Sequence, residues 1–197
     1  MGLEEQGSKP TGFIGKIIGR LMNQFHTPSY VDYFKNKLPE DNSKILDVGC
    51  GGGKFLQFLS DSNESYLLYG LDHSPEMIAL STKINKRAID QNQLKLLQGS
   101  VTHIRLENSS IDLVTAFETV QFWPDIDQSF LEINRLLKAG GQFLIINLYP
   151  PEGSKWWKIF KIKSDKEYIQ NLENAGFGQI IVDLKFKNGW IIVRATK

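Results

Sequence analysis

Four glycines fall within five positions, Gly49, Gly51, Gly52 and Gly53, and they join two segments of opposite periodicity. Before them stands the aliphatic run Ile45-Leu46-Asp47-Val48, which reads as a buried strand; after them Phe55, Leu56, Phe58 and Leu59 recur at helical spacing. The join must be a tight turn, and glycine lets a backbone turn left-handed and pass close to a bound group. Strand, glycine turn and helix together form the opening unit of an α/β sheet. The acid at the strand's end points to a partner carrying hydroxyl or ammonium groups.

The same alternation continues along the chain. Apolar runs over 45–48, 66–71, 94–98, 111–117 and 142–148 predict buried strands, and helical patterns over 53–60, 75–89 and 127–137 lie between most of them. Such an order implies a parallel sheet with helices on both faces. Ser74 is placed to cap the second helix, with Pro75 at its first position and Glu76 complementing the dipole. Met77, Leu80, Ile84 and Ala88 line one face of it. At Lys138-Ala139-Gly140-Gly141 a left-handed glycine stop is expected to end the third helix and lead into the next strand.

The C-terminal part changes character. Ser164-Asp165-Lys166-Glu167 predicts a capping box, followed by a helix through Tyr168, Ile169, Leu172 and Ala175 that stops at Gly176. Two β-rich runs, 179–186 and 190–196, are joined around Lys187-Asn188-Gly189, a strong hairpin signal. The predicted fold is therefore α/β, a seven-stranded sheet, mostly parallel, that finishes in an antiparallel hairpin.

At the other end, Phe13, Ile14, Ile17, Ile18, Leu21, Met22 and Phe25 form an amphipathic helical pattern. Residues 1–35 thus read as a helical cap on a single domain spanning 1–197. A membrane-surface role for it is weakly supported, since only Lys16 and Arg20 supply basic charge.

Bulk properties exclude several classes. A net charge of +1 advertises no nucleic-acid partner. No apolar run approaches the roughly 18 residues that span a bilayer, so stable membrane insertion is not expected. One cysteine, Cys50, allows neither a disulfide framework nor a thiolate cluster, and no metal site is predicted. Glu4 and Glu5, where a secretory signal would be basic, favour a cytoplasmic protein. Nothing specifies an assembly beyond a monomer or homodimer.

In an open α/β sheet, ligands bind beyond the carboxyl ends of the strands. The second strand ends in Leu71-Asp72, an acid about twenty residues beyond the glycines, as ribose recognition requires. A carboxylate there accepts from both vicinal hydroxyls and disfavours a 2′-phosphate. The dinucleotide fingerprint G-x-G-x-x-G fails at its third glycine, which falls on Lys54 or Leu56. Asp47 would also repel a pyrophosphate, whereas it favours an α-ammonium or sulfonium. Asp47 and Asp72 fit capping roles too, and Met77 fits the core as well as an adenine contact.

These segments resemble the motifs of class I S-adenosylmethionine-dependent methyltransferases. Ile45–Gly53 resembles the first motif and Tyr69-Gly-Leu-Asp-His-Ser-Pro-Glu-Met77 the second. Gln98-Gly-Ser-Val101 looks like the third, Asp112–Glu118 the fourth, and Leu137-Lys-Ala-Gly-Gly-Gln-Phe143 the turn before the fifth strand. The resemblance covers 44–148 in order. Phe122-Trp-Pro-Asp125, Met22-Asn23…His26 and Gly189-Trp190 narrow it to a group of small bacterial or archaeal enzymes of the type-11 methyltransferase domain.

The resemblance implies a Rossmann-like sheet and S-adenosyl-L-methionine held by Asp47, Gly49, Cys50, Gly51, Asp72, His73, Met77, Ser100, Val101 and Phe117. Ser100 stands where an acid usually receives the adenine amino group, and His73 where an apolar residue usually flanks the base. Cys50 contributes by position, since nothing near it suggests an activated thiolate. His26, Glu118 and Tyr149 are the candidates for acceptor contact or general base. The segment 150–164, with paired tryptophans and four lysines, is expected to form a substrate lid. A small-molecule acceptor is favoured. An RNA or protein acceptor would call for a broad basic face, and a non-catalytic binder of S-adenosylmethionine is the remaining alternative.

Overall fold

The computed structural model describes residues 30–35, 37–149, 152–158, 160–184 and 189–197. The expected helix over 13–25, His26, Pro150 and the Lys187-Asn188 turn lie outside the described residues. Seven strands form one sheet in the order β3-β2-β1-β4-β5-β7-β6. They are β1 (Lys44–Val48), β2 (Leu67–Asp72), β3 (Leu94–Gln98), β4 (Ile111–Phe117), β5 (Leu137–Leu148), β6 (Gly178–Asp183) and β7 (Trp190–Thr196). The Rossmann-like mixed sheet implied by the sequence is therefore present, with an antiparallel C-terminal pair. The chain divides into two compact units, residues 1–100 and 101–197.

In the first unit β1 pairs parallel with β2, and β2 parallel with β3. Ile45, Leu46, Val48 and Leu68 are buried, as both-face coverage of parallel strands requires. Helix α1 (Lys54–Ser62) buries Phe55, Leu56 and Leu59. Phe55 packs edge-on to Tyr30 at 5.0 Å between ring centroids and also meets Phe34 at 5.3 Å. Burying such a side chain contributes about 1.5–3 kcal/mol. Helix α2 (Pro75–Ile84) starts as the sequence predicts: Ser74 Oγ accepts from the Met77 amide at 3.3 Å, and Pro75 opens the first turn. The single helix expected over 75–89 is broken, however. Asn85, with φ −102° and ψ 22°, leaves the helical region and separates α2 from α3 (Lys86–Asp90).

In the second unit β4 pairs parallel with β5, β5 antiparallel with β7, and β7 antiparallel with β6. Helix α4 (Ile126–Leu136) is capped by Asp125, whose carboxylate accepts from the Gln128 amide at 3.0 Å. Trp123, Phe130, Phe143 and Phe177 stack into one aromatic core, with neighbouring centroids 5.7–6.4 Å apart.

Two expectations are corrected here. The helix ends without a glycine, because Leu137 is already extended (φ −67°, ψ 140°) and begins β5, five residues earlier than expected. Gly140 is left-handed (φ +77°) but lies within the strand, at a bulge where Ile111 faces Leu137 while Leu113 faces Gln142. The Gly140 amide donates to the Lys197 carbonyl, so the bulge leaves that donor satisfied. The capping box of α5 (Asp165–Asn174) is half as expected. Ser164 Oγ accepts from the Glu167 amide, yet the Glu167 carboxylate takes the Lys163 amide rather than that of Ser164.

Candidate functional site

Parallel pairing brings the ends of β1, β2 and β3 to one edge of the first unit, with Val48 beside Leu71 and Asp72 beside Gln98. The glycine turn lies at this edge and is strapped to the end of β2. The amides of Gly49 and Cys50 both donate to the Leu71 carbonyl, at 2.8 and 3.0 Å. The Gly51 amide donates to Asp72 Oδ2 at 2.9 Å, while Asp72 Oδ1 accepts from the Ser74 amide at 2.9 Å. Gly49, Gly51 and Gly53 have φ of +76°, +51° and +74°, so the turn needs residues that tolerate left-handed backbone.

Electrostatics place a second acid at the turn. Asp47 and Asp72 are both buried, at 4% and 7% exposure. The Cys50 thiol is pushed well above its ordinary value, first by burial and then by the charges of Asp47 and Asp72. Cys50 is thus a protonated, space-filling residue in the field of two carboxylates. His73 is half-exposed, its Nδ1 3.7 Å from Asp72 Oδ1. Met77 is buried in the first turn of α2, while Ser100 is exposed two residues past β3.

What would fill the turn differs from glycine to glycine. A Cβ at Gly53 would stand 2.1 Å from Ser81 Oγ, and one at Gly70 would stand 2.5 Å from Leu56 Cδ1. A Cβ at Gly51 would meet nothing within 4 Å among the described residues. The turn therefore packs on α2 at one point and opens on free space at another. Two buried carboxylates beside that opening suit a ligand rich in hydrogen-bond donors or bearing positive charge, which is the donor set that S-adenosylmethionine offers.

The second unit holds the other residues singled out in the sequence. Val101 is buried and Phe117, the last residue of β4, is partly so. Glu118 follows it, buried, with φ +56°, uncommon for a residue with a Cβ. Its amide donates to the Ile146 carbonyl at 2.9 Å, and its carbonyl accepts from Gln121 Nε2 at 2.7 Å. Tyr149 is half-buried just past β5, its amide bonded to the Gly189 carbonyl at 2.7 Å. In the expected lid, Phe160 and Ile162 are buried, and Lys161 Nζ donates to the carbonyls of Trp123 and Pro124.

Sequence reasoning missed Ser81 and Asn85, which contact the turn from α2, and Gln121, which fixes the carbonyl of Glu118. An asparagine inside an otherwise helical run was the one available signal for Asn85. Among the described residues no helix is long and apolar enough to cross a membrane, and no group of His, Cys, Asp and Glu could hold a metal ion.

The family model for "Methyltransferase domain" matches residues 46–145. The uncharacterized methyltransferase YdaC of Bacillus subtilis is 31% identical over 145 residues, covering 73% of this chain and 75% of that one. The demethylmenaquinone methyltransferase of Bacillus mycoides is 31% identical over 110 residues, 55% of this chain and 46% of its own length. The chain thus spans less than half of that enzyme. The crystal structure of a SAM-dependent methyltransferase from Aquifex aeolicus shares the fold with a TM-score of 0.71 at 19% identity, over 90% of this chain and 97% of the other. A glycine turn opening between buried acids, the mixed seven-stranded sheet and these matches lead to one statement: the chain belongs to the S-adenosylmethionine-dependent methyltransferases.

Proposed function

We propose that the turn 49–53, with Asp47 and Asp72, holds the cofactor and that the methyl group passes by in-line displacement to a small-molecule acceptor. The observation that carries this reading is the Gly51–Asp72 bond at 2.9 Å beside the open space at Gly51. Each Asp72 oxygen gives one lone pair to a backbone amide, which leaves others for ribose hydroxyls. Asp47 complements the cofactor's positive charge, and the backbone of Gly49, Cys50 and Gly51 lies along its methionine end. In the first unit Met77 supplies apolar contact to adenine, His73 stacks on it, and Ser100 accepts from its amino group.

The cofactor supplies an electrophilic methyl on a sulfonium. The chain's own contribution is positioning and exclusion of water, and proximity supplies about 7–11 kcal/mol in well-oriented cases. A general base is needed only for an acceptor that keeps its proton at neutral pH. Glu118, held in a left-handed conformation past β4, is our first candidate for that base, and Tyr149 and His26 are the other candidates. In this reading 1–197 is one catalytic domain working in the cytoplasm, 1–35 its cap and 150–164 its lid. Burial of Phe160 and Ile162 and the Lys161 tie to residues 123 and 124 support the lid assignment.

The relation to a demethylmenaquinone methyltransferase favours a small organic acceptor for this chain too. Incubation with methyl-labelled cofactor and either a cell metabolite extract or an RNA fraction tests it. Label in small molecules is expected; label confined to the RNA fraction would overturn the assignment.

A further inference from the structure

Asn85 interrupts a helical pattern to serve a carbonyl 32 positions away. It is 3% exposed at the junction of α2 and α3, and its Nδ2 donates to the Gly53 carbonyl at 3.0 Å and to the Ser81 carbonyl at 3.0 Å. Gly53 is fixed on every side. Its amide donates to the Cys50 carbonyl at 2.9 Å, and its carbonyl also accepts the Gln57 amide at 3.0 Å, the bond that opens α1. The space where a Cβ would stand is taken by Ser81 Oγ at 2.1 Å and Asn85 Nδ2 at 2.5 Å. Asp72 grips the same turn at Gly51. One half of the Asn85 amide serves no such purpose: Oδ1 is buried and has no hydrogen-bond partner among the described residues. A buried acceptor left unmet lowers stability, so stability alone does not account for an asparagine here.

We propose that Asn85 is a positioning residue for the cofactor, holding the glycine turn in its binding shape from the α2 side. The inference rests on the reading that turn 49–53 holds S-adenosylmethionine. A glycine-rich segment populates both signs of φ when released, and a ligand that must re-order it binds more weakly. Asn85 removes that cost before the ligand arrives.

The test separates positioning from stability. Asn85→Leu keeps the branched shape of the side chain, removes the unmet acceptor and deletes the clamp. Its melting temperature without ligand is expected at or near that of the wild type, while calorimetric titration with S-adenosylmethionine shows affinity weaker by about tenfold. Asn85→Asp, which turns a carboxylate toward two carbonyls, should bind at least as weakly. Should Asn85→Leu not fold, Asn85→Ala and Asn85→Ser are titrated at a temperature where circular dichroism shows them native. Leu94→Ala, a core change on β3 away from the turn, is the control: it lowers melting and leaves affinity unchanged. A folded Asn85 variant whose affinity stays within about twofold of wild type would make the residue merely structural and overturn the proposal. A wild-type protein that binds no S-adenosylmethionine would instead refute the functional reading, and this inference with it.

Discussion

Two glycines of one turn should respond differently to the same added methyl group. At Gly51 (φ +51°) an alanine Cβ meets nothing within 4 Å among the described residues, so Gly51→Ala carries the left-handed backbone penalty, about 1–2 kcal/mol. At Gly53 (φ +74°) the same penalty applies, and the Cβ also falls 2.1 Å from Ser81 Oγ and 2.5 Å from Asn85 Nδ2. Neither neighbour can swing aside, because Ser81 and Asn85 are buried at 0% and 3% exposure. Overpacking of this kind costs about 1–3 kcal/mol. Gly53→Ala should therefore be less stable than Gly51→Ala by about 1–3 kcal/mol. Urea denaturation without ligand, followed by far-ultraviolet circular dichroism, measures it. With a slope of about 2 kcal/mol per molar, the two midpoints should differ by about 0.5–1.5 M. Equal midpoints, or a lower one for Gly51→Ala, would refute the packing of α2 against the turn.

Other consequences concern titration and anchoring. Burial and two carboxylates raise the Cys50 thiol, so the folded protein should react with Ellman's reagent far more slowly than the urea-unfolded chain at pH 8, with a rate still rising at pH 9. Because the folded thiol keeps a proton that the unfolded one releases near about pH 8.5, stability is complete below that pH and falls above it. Cys50→Ser should flatten this decline; an unchanged alkaline limb would contradict the assignment. Arg135 binds the Glu132 carboxylate with Nε at 2.8 Å and Nη2 at 2.7 Å, and holds the carbonyls of Ile104 and Leu106. These bonds keep the Glu132 carboxyl below its usual range, so this stabilisation is present above about pH 4.3 and is lost as pH falls. Arg135→Ala should cost about 2–4 kcal/mol at pH 7 and shrink the acid-induced loss, as read from urea midpoints at pH 7 and pH 4. Lys161→Ala should speed proteolytic cleavage within 152–163 by releasing the carbonyls of Trp123 and Pro124; an unchanged rate would deny the tie a role.

What could be read from the sequence was local. The strand-turn-helix around the glycines, the Ser74 cap and the C-terminal antiparallel pair each depend on residues within a few positions of one another. What could not be read depends on distant partners. Asn85 bonds the Gly53 carbonyl, 32 positions away, across the packing between α2 and the turn. The early start of β5 reflects pairing of Leu137 with Ile111, where a bulge absorbs the glycines that read as a helix stop. Glu118 carries a left-handed φ that its residue type gives no reason to expect, and the Gln121 amide pins it three residues on. Asp47, the turn and Asp72 could be proposed as cofactor residues from sequence because ligand chemistry restricts residue type there. The Asn85 contact was not, because any buried donor of the right reach would serve it.

Asp72 and the glycine turn form the proposed cofactor site, and calorimetric titration of wild type and Asp72→Ala with S-adenosylmethionine tests that assignment. One site per chain is expected in the wild type, with a dissociation constant in the range of about 1–100 μM, and affinity weaker by at least about a hundredfold in Asp72→Ala, which loses the ribose acceptor and the Gly51 and Ser74 bonds together. Equal binding by the two proteins would contradict it.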